Sequence, residues 1–514
     1  MNKKKYIEFI YLIVLGIVTS FSLSPFNYFI INFLTFTLFY LFLIKRIDQH
    51  KNISLFFFYG WLFGFGYFIS SLYWISISLT YDENFKSLIP LAVILIPAFL
   101  ALFYGLITFF FLILKPKKII SSFLIFSLIF GVVEFIRGTI LTGFPWNLII
   151  YSLSQQKEFL GITSIIGTYG LNLFCISLFT SPAIMLLGDA KKILGFFIFF
   201  LITVIFFYSY GHYNKEKFYG SNSKIYEYKL RIIGSNISLN RFYSNYDFIS
   251  IIEDLIKLSD PIKNEKTIFI WPEGILSDVS QKELGQLNLL FDQNFNENHL
   301  FIIGINKKVS NNGSINFFNS LSVYDNELNI LDSYNKINLV PFGEFLPFEN
   351  ILKVIGLRSL TNNYQSFSKG EKRELIEIEH TNFTLKVLPL ICYEIIYSGR
   401  LFKNLSYDFI VNISEDGWFG KSIGPKQHFE HSIFRAIENG KYILRSSNNG
   451  IAAIINPIGI VEQSVEFGES GYVDLVEMRK IQPTIFSNYG NKIFGLLTLL
   501  YILLIISFIK IKNE

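Results

Sequence analysis

Three residues stand at predicted strand ends, and their side chains could together perform covalent chemistry: two follow hydrophobic strands, and the third lies in a loop segment rich in prolines and aromatic residues. Glu273 stands in TIFIWPEG, Lys336 in YNKINLVPFGEFLP and Cys392 in VLPLICYEII. A carboxylate in a partly desolvated position can take a proton, a lysine can stabilise an oxyanion, and a thiolate can attack a carbonyl carbon. In combination these groups suit acyl transfer through a covalent intermediate on the thiol.

Each of the three residues also has a simpler interpretation. Glu273 would be an acid in a surface turn, Lys336 a solvated lysine, and Cys392 a cysteine buried in a hydrophobic core. A free thiol in an oxidising compartment is a liability unless it is buried or used. The occurrence of all three in strand-end contexts within one region favours the catalytic hypothesis.

The region around these residues has the pattern of an α/β layered domain, which we place at residues 224–488. Functional groups of such folds gather where strands end. Strands are predicted at 229–234, 267–271, 300–305, 383–391, 408–414 and 442–447. Helices are predicted near 243–258, 281–292 and 427–440.

The rest of the chain has the composition of a membrane protein. Of the 514 residues, 51% are hydrophobic and only 17% are charged, which is too few charges to cover a soluble protein of this size. Eight apolar runs of spanning length predict a helical bundle at 1–211 and a final helix and tail at 491–514. The predicted spans are 6–23, 27–44, 54–79, 88–114, 119–142, 162–187, 193–211 and 492–510.

The lysines and arginines between these runs predict the orientation. Basic residues concentrate in alternate connections, and placing those connections in the cytoplasm puts the N-terminus inside. Residues 212–490 then lie outside the cytoplasmic membrane and the C-terminal KIKNE returns to the cytoplasm. The basic residues are Lys3, Lys4, Lys5, Lys45, Arg46, Lys51, Lys115, Lys117, Lys118, Lys191 and Lys192. They form no long basic face, so nucleic acid is not an expected partner.

Two features within the apolar half could be structural or functional. Glu134 and Arg137 are three residues apart in one span, so they can form an ion pair that locks the helix to its neighbours. Trp146, in TGFPWNLIIY, could anchor a helix at headgroup depth or contact lipid or substrate.

At this point the motifs resemble those of the carbon–nitrogen hydrolase (nitrilase) superfamily, whose catalytic set is Glu–Lys–Cys. With a multispan N-terminal half, the resemblance narrows to the apolipoprotein N-acyltransferase family and covers nearly the whole chain. The phrases that carry it are SPFNY at 24–28, TGFPW at 142–146, WPEG at 271–274, VPFGEFLP at 340–347, ICYEI at 391–395, DGWFG at 416–420, GPKQHF at 424–429 and RSSNNG at 445–450.

The resemblance implies a transmembrane bundle carrying a periplasmic α/β/β/α sandwich in the bacterial inner membrane. It makes Cys392 the nucleophile, Glu273 the base and Lys336 the oxyanion partner. It further implies supporting or substrate-binding roles for Glu344, Tyr393, Glu394, Trp418 and Phe419, with Trp146 as a candidate contact, and neither metal nor cofactor.

The implied reaction transfers an acyl chain from a membrane phospholipid to the N-terminal amine of a diacylglyceryl-cysteine lipoprotein, and we expect a monomer. Three positions depart from the family pattern. Gly274 replaces a small hydroxyl residue, Glu415 replaces an asparagine, and Phe242 stands where a tryptophan is expected near the substrate entrance.

Two other functions fit parts of the sequence. A membrane-tethered amidase could use the same three groups with water as the second nucleophile, although a single anchor would suffice for it. A transporter or receptor with an extracytoplasmic binding domain would need no reactive thiol. The apolar spans contain few of the charges that a polar pathway requires.

Overall fold

The computed structural model describes residues 3–49, 52–188, 190–243, 247–311, 314–352, 354, 366–380, 383–401 and 406–510. Lys51 and the tail at 511–514, both used in predicting the orientation, lie outside these residues. The chain forms two compact units. One comprises Met1–Ile77, Phe85–Glu216 and Thr484–Glu514, and the other comprises Ser78–Asn84 and Lys217–Pro483. No sequence pattern indicated that 78–84, between two apolar runs, belongs to the second unit.

The first unit is helical. Its helices are α1 (Lys3–Ser20), α2 (Ile30–Ile47), α3 (Ile53–Leu72), α4 (Ile89–Leu114), α5 (Ile119–Arg137), α6 (Lys157–Leu160), α7 (Thr163–Thr180), α8 (Pro182–Leu187) and α9 (Ala190–Tyr219), followed near the C-terminus by α14 (Ile485–Tyr489) and α15 (Lys492–Lys510). Seven segments of the described chain are long and apolar enough to cross a membrane. The helix α1 is not among them, because Lys3, Lys4, Lys5 and Glu8 reduce its apolar length.

Glycines allow three of these helices to approach closely. A Cβ atom at Gly60 of α3 would lie 2.2 Å from the Tyr104 carbonyl oxygen of α4. A Cβ atom at Gly16 of α1 would lie 2.1 Å from the Phe63 carbonyl oxygen of α3. Small residues at such crossings permit the backbone packing that stabilises helix association in a lipid environment.

The second unit is built on thirteen strands of the described chain. They are β1 (Ser223–Ser235), β2 (Thr267–Ile270), β3 (Leu276–Ser280), β4 (His299–Asn311), β5 (Ser314–Tyr324), β6 (Ile330–Asn335), β7 (Ile376–His380), β8 (Phe383–Ile391), β9 (Phe409–Glu415), β10 (Ile443–Asn448), β11 (Ala452–Ile455), β12 (Val461–Val465) and β13 (Gly471–Arg479). The helices are α10 (Phe248–Ser259), α11 (Asn288–Asn294), α12 (Glu349–Leu352) and α13 (Gly424–Asn439).

The strands form two halves that share a core. The main order is β6-β5-β4-β2-β1-β10-β9-β8-β7, and the β1–β10 junction joins the halves through only two residue pairs. One core contains Ile232 and Ile270 from the first half together with Val387 and Val411 from the second. The two halves therefore face each other across this core.

The alternation of strand side chains explains the outer layers. Phe269 and Trp271 of the β2 segment point away from the shared core and pack with Ile252 of α10 and Phe291 of α11. On the opposite side α13 packs against β10. These layers confirm the predicted α/β/β/α class, and they bring the carboxyl ends of parallel strands β2, β8 and β9 to one edge.

Candidate active site

The three predicted catalytic residues come from different strands of the second unit. Glu273 follows β2, Lys336 follows β6 directly, and Cys392 follows β8 directly. The backbone of Glu273 passes close to β4, where a Cβ at Gly304 would lie 2.5 Å from the Glu273 Cα atom. Glycine at position 304 thus makes room for the turn that carries Glu273.

Lys336 holds two carboxylates together. Its Nζ lies 3.2 Å from Glu273 Oε1 and 2.9 Å from Glu344 Oε1, and its side chain is 1% exposed. Asn319 of β5 donates a hydrogen bond of 2.7 Å to each of the same two oxygens. The Asn319 amide was missed in the sequence, because nothing in its local pattern distinguishes it from other polar strand residues.

Burial shapes the charge state of this group. Burial alone would lower the pKa of Lys336, but Glu273 and Glu344 hold it well above its ordinary value, so the ammonium is charged. Burial raises the pKa of Glu344, and the nearby Glu273 carboxylate adds to this against the opposing effect of Lys336. The cluster therefore combines one fixed cation with two acids, Glu273 and Glu344, and burial opposes the ionisation of Glu344.

Cys392 has the features of a nucleophile held in place by its backbone. Its φ angle is +48°, an uncommon conformation for a residue with a side chain, and its residue is 8% exposed. Burial raises the pKa of its thiol well above the ordinary value, Glu273 raises it further, and Lys336 lowers it. The thiol is therefore protonated at neutral pH and requires a base to react.

Glu394 holds the turn that carries Cys392 against the loop that follows Lys336. Its Oε2 accepts the Ile391 N–H at 3.0 Å. Its Oε1 accepts the N–H groups of Ile337 and Asn338, each at 3.1 Å. Arg373 neutralises this fully buried carboxylate at 2.9 Å. Glu394 therefore links backbone groups on both sides of the site, and the supporting role that the sequence predicted for it stays a prediction.

A further network lies beside Cys392 and was not singled out in the sequence. The Asp416 carboxylate contacts the His428 ring at 2.8 Å and accepts hydrogen bonds from Arg445 at 2.7 Å and Ser414 at 2.6 Å. Although burial opposes it, Arg445 and His428 hold the pKa of Asp416 well below its usual range.

The same network includes a candidate metal-ligand group. The Cys392 sulfur, an Asp416 oxygen and a His428 nitrogen all lie within 4.8 Å of one another. The Asp416 oxygens contact Arg445, Ser414 and His428, so the three candidate ligands belong to one hydrogen-bonded group beside the thiol.

The predicted aromatic site residues divide between the two units. Trp418 is partly buried, lies 5.2 Å from the Phe242 ring and contacts Tyr81 edge to face. Phe419 packs edge to face on His428. Tyr393 is 7% exposed and packs on Tyr397, which accounts for its burial beside the nucleophile.

Trp146 belongs to the helical unit. It is 3% exposed and its ring lies 4.8 Å from that of Trp74. Its face is therefore covered by protein, and a role in substrate contact stays a prediction.

The ion pair predicted within a span is present. Arg137 donates to Glu134 at 2.7 Å, and both side chains are buried. Arg137 also donates to the Asn147 carbonyl at 3.4 Å, and its guanidinium lies over the Phe68 ring. These contacts join α5 to the loop after it and to α3, which supports the structural interpretation.

A helical membrane unit followed by a buried Glu–Lys–Cys site on a layered α/β fold defines a membrane-embedded enzyme of the carbon–nitrogen hydrolase class. Residues 268–478 match the family model described as carbon-nitrogen hydrolase, and residues 15–180 match that described as apolipoprotein N-acyltransferase N-terminal domain. The chain is 34% identical over 506 residues to the apolipoprotein N-acyltransferase of Rickettsia prowazekii (strain Madrid E), with 96% of each chain covered.

The chain is also 29% identical over 515 residues to the apolipoprotein N-acyltransferase of Rhodopseudomonas palustris, covering 96% of this chain and 93% of that one. A mutant of the Nesterenkonia AN1 amidase from the nitrilase superfamily shares 12% identity at a TM-score of 0.35, covering 49% of this chain and 92% of that one. The chain belongs to the apolipoprotein N-acyltransferase family.

Proposed function

We propose that the protein acylates the N-terminal amine of diacylglyceryl-cysteine lipoproteins, using a membrane phospholipid as the acyl donor. The observation that carries this proposal is the placement of Lys336 between Glu273 and Glu344 beside the Cys392 thiol, in a chain with seven candidate membrane spans. Membership of the family supplies the substrate class.

The first half-reaction forms a thioester. Glu273 takes the Cys392 thiol proton, and the sulfur attacks the carbonyl carbon of a phospholipid acyl ester. Lys336 and a backbone N–H stabilise the oxyanion of the tetrahedral intermediate. The carbon–oxygen bond to the glycerol then breaks, Glu273 returns the proton to the leaving oxygen, and a lysophospholipid departs.

The second half-reaction forms an amide. The lipoprotein α-amine attacks the thioester carbonyl and gives its proton to Glu273, and Lys336 again stabilises the oxyanion. The carbon–sulfur bond breaks and the thiolate regains the proton. Water would compete with the amine, and the Trp418 turn with Phe419 is suited to exclude it.

The proposed location follows from the distribution of basic residues. We place both termini in the cytoplasm and residues 224–488 in the periplasm, with helices at 1–211 and 491–514 in the inner membrane, and we treat the protein as a monomer. This arrangement needs an even number of crossings, so α1 crosses the membrane as an eighth span besides the seven candidate segments. Both substrates are lipid-anchored in the outer leaflet, so confinement to one surface raises their local concentration at the site.

Mass spectrometry of the purified full-length protein tests the chemistry. After incubation with a phospholipid carrying a labelled acyl chain, we expect the acyl mass on the Cys392 peptide. Neutral hydroxylamine should remove it, as should a diacylated lipopeptide with a free α-amine. An N-acetylated lipopeptide is the control and should leave the thioester intact. Release of free fatty acid without transfer would overturn the proposal in favour of a hydrolase.

Labelling with a membrane-impermeant maleimide tests the location. Cysteines introduced at the exposed residues Leu289 and Lys117 report on the two sides, and Cys175→Ser removes the second native thiol. In intact spheroplasts we expect Leu289→Cys to react and Lys117→Cys to react only after lysis. The opposite pattern would place the catalytic unit in the cytoplasm and exclude the outer-leaflet reaction.

A further inference from the structure

A second buried ion pair lies next to the base Glu273. Arg241, in the turn Leu239–Phe242, donates to the carboxylate of Glu415, the last residue of β9. The side chains are 0% and 2% exposed. A buried charge pair of this kind stabilises little by itself, because desolvation offsets most of the attraction. Its position therefore needs another explanation.

The pair contacts the base segment at two points. The Glu415 backbone N–H donates to Glu273 Oε2 at 2.9 Å. Arg241 Nη2, besides pairing with Glu415, donates to the carbonyl oxygen of Gly274 at 3.2 Å. Glu415 thus fixes the carboxylate of Glu273, and Arg241 fixes the peptide group of the next residue, Gly274.

The pair also contacts the Trp418 turn, residues 416–419. Glu415 Oε1 accepts the Gly417 N–H at 2.9 Å, and the Tyr81 hydroxyl donates to the Gly417 carbonyl at 3.0 Å. The Arg241 guanidinium lies over the Phe242 ring, which in turn packs on Trp418. The same ion pair therefore touches the base on one side and the aromatic turn on the other.

We propose that Arg241 and Glu415 are positioning residues that couple the conformation of the Trp418 turn to the placement of the base Glu273. The proposal rests on the acyl-transfer function above. When the turn moves, the Gly417 N–H and the Phe242 ring change their contacts with the pair, and the Glu415 N–H moves relative to Glu273. Proton transfer from Cys392 then depends on the conformation of the turn.

The charge of the pair gives a test that a purely structural role would not meet. Glu273, Lys336, Asp416 and the His428 ring face the Cys392 thiol, and none of these residues is substituted in the variants below. Removing Arg241 leaves the Glu415 carboxylate without its cation, and removing the charge of Glu415 leaves Arg241 without its anion. The first change disfavours formation of the thiolate and the second favours it.

The experiment measures thioester formation on the full-length protein in nanodiscs, with a labelled phospholipid, across a range of pH. Arg241→Met should lower the maximal rate by about 10-fold to 100-fold through misplacement of the base, with little change in the phospholipid KM. Its pH midpoint should rise by about one unit, and that of Glu415→Gln should fall by about one unit. The double variant should return to within about half a unit of the wild-type midpoint.

A matched control breaks a different ion pair in the same unit. The buried Arg231 of β1 binds the half-buried Asp474 of β13 at 2.8 Å. Arg231 also donates to the backbone carbonyls of Ser259 and Asp260, and it lies over the Tyr472 ring. Arg231→Met should lower the unfolding temperature without moving the pH midpoint. If Arg241→Met and Glu415→Gln behave like this control, the pair is only structural and the proposal is overturned.

Arg241→Lys provides the test if Arg241→Met does not fold. It keeps the charge but loses the planar fork that reaches both Glu415 and Gly274, so the midpoint should stay and the rate should fall about 10-fold. An unchanged rate would overturn the proposal. Absence of any thioester in the wild-type protein would instead contradict the proposed function, so the two failures are distinguishable.

Discussion

The helical unit and the catalytic unit each bury a charged cluster, and the two clusters differ in balance. In α5 one arginine, Arg137, meets one glutamate, Glu134, at 2.7 Å. In the second unit one lysine, Lys336, meets two glutamates, Glu273 and Glu344. The first cluster is neutral as a pair, whereas the second carries more carboxylates than cations.

The difference shows how a buried charge group can be assigned to structure or to chemistry. A neutral pair whose arginine makes its remaining hydrogen bonds to backbone carbonyls needs no proton exchange to persist. An unbalanced cluster beside a thiol must respond to the protonation of that thiol, and perturbed titration of this kind is concentrated at functional sites. Neighbouring groups and charge balance, rather than burial, separate the two clusters.

Removing the nucleophile of the catalytic unit should have the largest effect. Cys392→Ala should abolish thioester formation, a loss on the order of 10³-fold or more, because no other group can hold the acyl chain. Acyl-enzyme mass spectrometry measures this. The matched control is Cys175→Ala in α7, which changes the other buried cysteine and should keep full activity. An acyl mass on the Cys392→Ala protein would contradict the assignment.

Removing the base should have the next largest effect. Glu273→Gln keeps the shape of the side chain but cannot accept the thiol proton, so the rate of thioester formation should fall by about 10²-fold to 10⁴-fold. Single-turnover kinetics measure it. The exposed Glu297→Gln serves as the control and should react at the wild-type rate. A Glu273→Gln protein that reacts at the same rate would move the base to another group.

Lys336→Met tests whether the Lys336 cation lowers the pKa of the Cys392 thiol. Lys336 lowers the pKa of Cys392 against burial and Glu273, so its removal should raise that pKa further. A rise of one unit makes the thiolate about tenfold scarcer below the pKa. Alkylation of Cys392 by iodoacetamide at pH 8 should slow by about that factor, and its pH profile should move to higher pH. Lys282→Met, which changes an exposed lysine, is the control. Faster alkylation of the Lys336→Met protein would contradict the prediction that Lys336 lowers the pKa of Cys392.

The smallest effect on catalysis is expected from the pair in α5. Glu134→Gln should lower the free energy of unfolding by about 3–5 kcal/mol, because it leaves Arg137 buried without its anion. Thioester formation per folded molecule should remain at the wild-type level. Thermal unfolding in detergent and single-turnover kinetics check both statements. The double variant with Arg137→Met should recover much of the stability. A loss of turnover without a loss of stability would contradict the assignment of the α5 pair to structure rather than to chemistry.

The sequence predicted the elements whose hydrophobic signal is strong. The strand predicted at 383–391 is β8 at Phe383–Ile391, and the strands at 229–234 and 408–414 lie in or overlap β1 and β9. Strands such as β6 and β12 were missed because their side chains are mostly exposed or half-buried, which weakens the alternation that reveals a strand. The helix predicted at 281–292 is a short turn at Glu283–Leu287 followed by α11.

The sequence alone determined the residue types that can do the chemistry, the apolar runs, and the motifs by which this chain resembles its family. Each of these is a local pattern, which can be recognised from residues adjacent in the chain. Only the tertiary structure decided that Asn319 bridges Glu273 and Glu344, and that Arg241 lies against Glu415. Asn319 and Arg241 are 46 and 174 residues from the partners they reach, Glu273 and Glu415. The physical reason is that such contacts form only when segments distant in sequence are brought together by the pairing of the strands.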